Sequence, residues 1–220
     1  KKAVYEDKIT TFGHLLKAMK EDFRDDEILR QYLLHKVPKF CKDKDATEFG
    51  KKVMDDLAEC LGGQANYRGG KFEPSLFAFY SYNWFKNVTI ATADGRKSES
   101  ALSRGVNPSE STENINIAAL LDAIKTMDYT KYPGGAVIYM DIPLMYKTPQ
   151  PSLFASVMRA FCENGGSIMD FNVISRNALL EAQKNPETHK NIVVRVCGYS
   201  AYFHTLTAEM QNEVIQRTQR

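Results

Sequence analysis

The sequence lacks most features that would commit it to a familiar chemistry. The cysteines, Cys41, Cys60, Cys162 and Cys197, are scattered singly, with no Cys-x-x-Cys pair. That suits a reducing compartment better than a disulfide scaffold or a zinc knuckle. No charge of one sign dominates: 29 Lys+Arg face 27 Asp+Glu, a net charge of +2. A chain whose main work is gripping nucleic acid would be far more basic. The lysines at 36, 39, 42 and 44 are diluted by Asp43 and Asp45 and read as a solvated face. No apolar run approaches the roughly 20 residues of a membrane span. There is no G-x-S-x-G, H-E-x-x-H, phosphate-binding loop or G-x-G-x-x-G. The histidines, His14, His35, His189 and His204, form no metal-ligand pattern, so no metal is expected in this chain. There is no signal peptide, and the chain opens on Lys1-Lys2 without Met. It reads as a piece of something longer or a processed chain, in the cytoplasm.

The 220 residues, 43% hydrophobic and 25% charged, are enough for a sizeable core. Apolar residues at Phe12, Leu15, Leu16, Met19 and Phe23 keep helical spacing behind Thr11. A short helix is expected over Asp26 to His35. A third starts near Asp45, with Glu48 as its capping-box partner, the stripe Phe49, Val53, Leu57 and Leu61, and a stop at Gly62-Gly63. Asn66 to Lys71 is a Gly-rich turn. Phe72 to Ala93, aromatic and β-branched, predicts one or two strands. Asp94-Gly95 is a tight turn, and 97–113 a long ordered loop. Asn114 is expected to cap a helix bearing Ile117, Leu120, Leu121 and Ile124. Strands are expected over Ala136–Ile142, Ile168–Ile174 and Ile192–Val196. Helices are expected from Pro151 to Gly165, from Ser175 to near Pro186, and from Thr207 onward. This alternation predicts an α/β architecture with mostly parallel strands. About four or five strands fall short of the eight of a closed α/β barrel.

One segment stands apart: Val194-Arg195-Val196-Cys197-Gly198-Tyr199-Ser200-Ala201-Tyr202-Phe203. A plain reading makes Gly198 a turn residue with φ > 0 and Tyr199 a packing residue. The same residues carry a resemblance. Arg195-Val196-Cys197-Gly198-Tyr199-Ser200 resembles the signature of the glycyl radical enzymes, the pyruvate formate-lyase superfamily. Gly165-Gly166, Phe171-Asn172-Val173, Leu179-Leu180-x-Ala182-Gln183, Arg68-Gly69-Gly70 and Ala93-Asp94-Gly95-Arg96 resemble further elements of that family. So does Gln211-x-x-Val214-Ile215-x-Arg217-Thr218. The likeness is collinear from about residue 4 to 220.

The chemistry is coherent. A radical on a glycine α-carbon is delocalised by the flanking amide nitrogen and carbonyl, and no side chain opposes a planar centre. Oxygen attacks such a centre, so burial by neighbours such as Val196, Tyr199, Tyr202 and Phe203 is expected. The resemblance implies the C-terminal portion of a pyruvate formate-lyase-like α/β barrel, with residues 1–165 as helical segment and partial wall and 166–220 as glycyl radical domain. It implies Gly198 as radical carrier, with Arg195, Cys197 and Tyr199 shaping its loop. Leu76, Phe77, Phe79, Val137, Tyr139 and Ile142 are expected to line the cavity. A radical activating enzyme holding a 4Fe-4S cluster and S-adenosylmethionine would remove the hydrogen atom. The radical would then pass to a thiyl cysteine on another loop and act on a small organic substrate.

None of the four cysteines has the expected context for that thiyl role, so all four read as structural. The remainder of the enzyme, or a companion chain, would supply the Cys loop, and the assembled enzyme could be a homo-oligomer. The stretch 106–119 departs from the family pattern, so the substrate does not carry over. Tyr199-Ser200-Ala201-Tyr202 leans toward the dehydratase and decarboxylase branches. Two other readings remain. The chain could be a spare part for an oxygen-cleaved enzyme, or a non-catalytic α/β binding module whose Gly198 is only a turn.

Overall fold

The computed structural model describes residues 1–79, 81–109, 111–112, 117–141 and 151–218. Three helices open the chain: α1 (Phe12–Lys20), α2 (Glu27–His35) and α3 (Lys44–Leu61). Thr11 starts α1 as expected, its hydroxyl accepting the His14 N–H at 3.2 Å, which satisfies one orphan donor of the first turn. Leu15, Ala18, Phe23, Leu29 and Leu33 meet in one buried cluster. Phe12 and Leu16, expected in that stripe, are exposed.

Helix α3 departs further from expectation. It begins at Lys44 and has no side-chain cap. The Asp43 carboxylate instead accepts the Lys39 N–H at 2.7 Å, so no Asp45–Glu48 box defines the start. Its expected core stripe, Phe49, Val53, Leu57 and Leu61, faces outward, while Thr47 and Ala58 are buried. Helical spacing says that an apolar face exists, not what covers it.

The aromatic stretch after Phe72 is not a strand. Leu76 makes a single parallel bridge to Ala136. The chain then turns through Phe79 at φ +45 into the short helix α4 (Ser81–Trp84). A left-handed residue ends an extended run, and Phe77 and Phe79 touch ring to ring, their centroids 5.7 Å apart, while remaining exposed. The Asp94-Gly95 turn forms as expected, with Gly95 at φ +92. Asp94 accepts hydroxyl bonds from Thr92, Ser109 and Ser111, each at 2.5 Å. The buried Arg96 guanidinium donates to the carbonyls of Ile90, Lys97 and Ser100. These bonds tie the polar loop to the turn.

The central unit is strand β1 (Val137–Asp141), helix α6 (Pro151–Glu163) and strand β2 (Ile168–Asn172), preceded by helix α5 (Ile117–Lys125). The strands pair in parallel, with Tyr139 opposite Asp170 and Met140 opposite Phe171. The two-residue period of the pleat then sorts the side chains. Ile138, Met140, Met169 and Phe171 pack on Ile124, Val157 and Phe161 of the helices. Val137 and Tyr139 point to the other side, toward Tyr82 and Cys197.

The last unit is helix α7 (Arg176–Lys184), strands β3 (Val193–Arg195) and β4 (Ser200–Tyr202), and helix α8 (Ala208–Arg217). Ser175 and Thr207 cap their helices as expected. β3 and β4 pair antiparallel; the sequence reading missed β4 and expected mostly parallel strands. Leu179, Ala182, Val194, Val196, Phe203, Val214 and Ile215 form this unit's own core. The four strands make two two-stranded sheets, and no barrel closes among the described residues. No helix among them is long and apolar enough to cross a membrane. The Asn114 cap lies outside the described residues.

Candidate functional site

Gly198 sits at the tip of the β3–β4 hairpin. The last ladder pair is Arg195–Ser200, and the Val196 N–H donates to the Tyr199 carbonyl at 2.9 Å. Cys197 and Gly198 are therefore the two loop residues. Gly198 takes φ +74, the sign a type II turn demands at its second loop position, where glycine is favoured. A methyl built on its α-carbon would lie 3.6 Å from Phe79 and 3.7 Å from Phe77. Those are ordinary contacts, so backbone conformation rather than crowding favours glycine here.

Strand β2 holds the loop from beneath. The Asp170 carboxylate is buried and divides its two oxygens. Oδ2 accepts the Gly198 N–H at 3.1 Å, and Oδ1 accepts the Arg195 Nε–H at 2.8 Å. Two residues on, the Asn172 amide clamps the Arg195 backbone. Its oxygen accepts the Arg195 N–H at 2.7 Å, and its nitrogen donates to the Arg195 carbonyl at 3.0 Å. Ile168, Asp170 and Asn172 share one face of β2 by the pleat, so one strand face positions the hairpin.

Below Gly198 lies a polar spine. The buried Cys197 thiol donates to the Tyr82 hydroxyl at 3.5 Å, and that hydroxyl donates to Glu213 of α8. Tyr139 is buried beside the same thiol. Burial is the main cause that raises its phenol well above the usual range, with the Asp170 charge adding to it. The Arg104 guanidinium stands 5.3 Å over the Tyr139 ring, a cation–π contact. Asn107 clamps the Tyr139 backbone N–H and carbonyl at 2.9 and 2.8 Å.

The structure thus brings together Gly198, Arg195, Cys197, Phe77, Phe79, Val137 and Tyr139 of the residues expected from sequence. Leu76 packs toward the helices instead, because its bridge to Ala136 fixes it on the opposite side of β1. Ile142 and Tyr80 lie outside the described residues. Tyr199 and Tyr202, expected to help bury the glycine, are exposed, and so is Gly198; Val196 and Phe203 are the buried pair. Asp170, Tyr82 and Glu213 were missed. The one available signal for Asp170 was an acid inside an otherwise apolar strand with two-residue alternation. Among the described residues no group of three or more His, Cys, Asp or Glu stands close enough to hold a metal ion. Cys41 is buried, which pushes its thiol up to about 12; Cys60 and Cys162 are exposed.

Comparison with known proteins gives this hairpin a context. The family model for pyruvate formate lyase-like proteins matches residues 1–86, and that for the glycine radical matches residues 102–204. The second match contains Gly198 and its loop. The chain belongs to the glycyl radical enzyme superfamily. Among its relatives, trans-4-hydroxy-L-proline dehydratase of Clostridioides difficile is 28% identical over 99% of this chain and 28% of its own length. Isethionate sulfite-lyase of Nitratidesulfovibrio vulgaris is 32% identical over 99% of this chain and 27% of its own. The solved B12-independent glycerol dehydratase from Clostridium butyricum superposes with a TM-score of 0.87 at 31% identity, over 99% of this chain and 28% of that one. The chain therefore spans little more than a quarter of the length of these relatives. Its mixed α/β architecture is part of the barrel that glycyl radical enzymes of this type share.

Proposed function

We propose that this chain is the radical-storing part of a glycyl radical enzyme, with Gly198 as the radical carrier. One observation carries the reading. A left-handed glycine stands at a hairpin tip inside the glycine radical match, with its amide held by a buried carboxylate. A separate activating enzyme, using an iron–sulfur cluster and S-adenosylmethionine, breaks one Gly198 Cα–H bond homolytically and takes the hydrogen atom. The α-carbon keeps the unpaired electron, shared with the amide nitrogen and the carbonyl. In turnover Gly198 takes a hydrogen atom from a cysteine thiol, and the sulfur radical then abstracts from a small organic substrate. That hydrogen returns at the end of the cycle.

The thiyl cysteine lies outside this chain in our reading. Cys41 is buried under Tyr129 and the α5–α6 cluster. Cys60 and Cys162 lie exposed near the ends of α3 and α6, and Cys197 turns away from the tip toward Tyr82. The remainder of the enzyme would supply that cysteine and cover the exposed face of Gly198, Phe77, Phe79 and Tyr199. Residues 166–220 are the glycyl radical domain, a reading supported by the core that 174–215 build for themselves, although β2 of this segment belongs to the central sheet; 1–165 contribute helices and barrel wall. The relatives' named reactions support dehydration, decarboxylation or lyase cleavage of a small organic substrate as the class of reaction, and we read the setting as an anaerobic cytoplasm.

The test is electron paramagnetic resonance of the natural protein, activated without oxygen, beside Gly198→Ala. The wild type should show a doublet from the remaining α-hydrogen, and the variant none, while folding is retained. A folded, fully activated wild type with a silent spectrum would return Gly198 to the role of a turn residue.

A further inference from the structure

We propose that Asp170 is the positioning residue of the glycyl centre, acting through the Gly198 amide. The inference rests on reading Gly198 as the radical carrier. A buried carboxylate must be met by donors, and Asp170 meets two from one hairpin: the Gly198 N–H and the Arg195 Nε–H. Its strand position is fixed by pairing with Tyr139 across β1, so neither oxygen is free to wander. The Asn172 clamp on Arg195 holds the hairpin to the same strand. The Gly198 peptide plane is thereby aimed from β2.

The placement has an electronic consequence. A radical at the Gly198 α-carbon is stabilised by the carbonyl drawing electron density and the amide nitrogen supplying it. A charged acceptor on the N–H leaves more density on that nitrogen, and charge-assisted bonds are the stronger kind. The Arg195 Nε–H occupies the other oxygen. Asparagine has the same shape, but one of its two heads is a donor. It would place an NH₂ against either Gly198 or Arg195.

The experiment compares natural protein with Asp170→Asn by two readings. In the activated proteins, electron–nuclear double resonance in H₂O and D₂O isolates the coupling of the exchangeable Gly198 amide proton. In the unactivated proteins, hydrogen exchange reads the same amide directly. The α-hydrogen doublet should persist in the variant, the amide-proton coupling should shift, and the Gly198 amide should exchange at least about tenfold faster. An unchanged coupling and unchanged exchange would overturn the proposal. Arg195→Gln removes one partner but leaves the Asp170–Gly198 bond, so it should keep the wild-type coupling and slow exchange. If that variant also exchanges tenfold faster, hairpin rigidity and not Asp170 protects the amide. A wild type with no doublet would sink the radical assignment alone, while the exchange measurement would still decide the role of Asp170.

Discussion

Gly198 and Gly166 are constrained for different reasons, and substitution should separate them. At Gly198 the backbone is left-handed but there is room. At Gly166 the φ is ordinary, yet a Cβ would come within 2.4 Å of the Phe161 ring, itself fully buried. Gly69, left-handed with nothing within 4 Å, presents the same conformational case as Gly198 away from the hairpin and stands in for it. Gly69→Ala should cost about 1–2 kcal/mol from conformation alone. Gly166→Ala should cost about 3 kcal/mol or more, because a packed ring must move. Denaturant midpoints would measure both, and equal losses would refute the distinction. At this scale the sequence was most readable where one residue type has one reason to be present. The left-handed turn at Gly198 and the caps Ser175 and Thr207 declared themselves. Asp170 did not, because an acid between apolar neighbours in a strand looks like ordinary in–out alternation until its neighbours are known.

The elements show where periodicity stops being informative. β1, β2, α7 and α8 were legible because turn and cap residues bound them and their apolar faces meet their own cores. The stretch after Phe72 was not, since β propensity reflects fit to a pleated surface, and Phe72, Phe77, Phe79, Trp84 and Phe85 meet none here and stay exposed. At the Asp94 turn, one carboxylate gathers three hydroxyls, those of Thr92, Ser109 and Ser111. Burial opposes the charge of Asp94, but hydrogen bonds from Ser109, Ser111 and Thr92, with the Lys39 charge, outweigh it and hold the carboxyl at about 2. Its folded value lies below the ordinary 3.8, so the stabilisation is complete above about pH 4 and is lost as pH falls toward 2. The amount is on the order of 2 kcal/mol. Ser109→Ala with Ser111→Ala should move acid unfolding to higher pH, as followed by circular dichroism. No movement would mean that these hydroxyls do not hold the charge.

Across the described residues, part of the exposed apolar surface is gathered into two groups. Phe49, Val53, Leu57 and Leu61 run along α3, and Phe77, Phe79, Trp84, Phe85 and Tyr199 are exposed on and near the hairpin side. Contiguous apolar patches of this kind mark surfaces that something covers. The 220-residue chain, prepared alone, should therefore self-associate with rising concentration and bind a hydrophobic dye. Phe49→Ser with Leu57→Ser should reduce both effects without loss of helix signal. A wild-type chain that sediments as a monomer at all concentrations would contradict this.

The left-handed glycine at the hairpin tip has one more consequence, a stereochemical one. Its two α-hydrogens are chemically alike in a free peptide, but this fold makes them unequal. The pro-S hydrogen, which an L side chain would replace, looks toward Phe77 and Phe79, as the built methyl shows. The pro-R hydrogen looks elsewhere. Any reagent that removes a hydrogen here meets two different faces of one carbon, so a protein made with singly deuterated glycine of known handedness would reveal which face it uses.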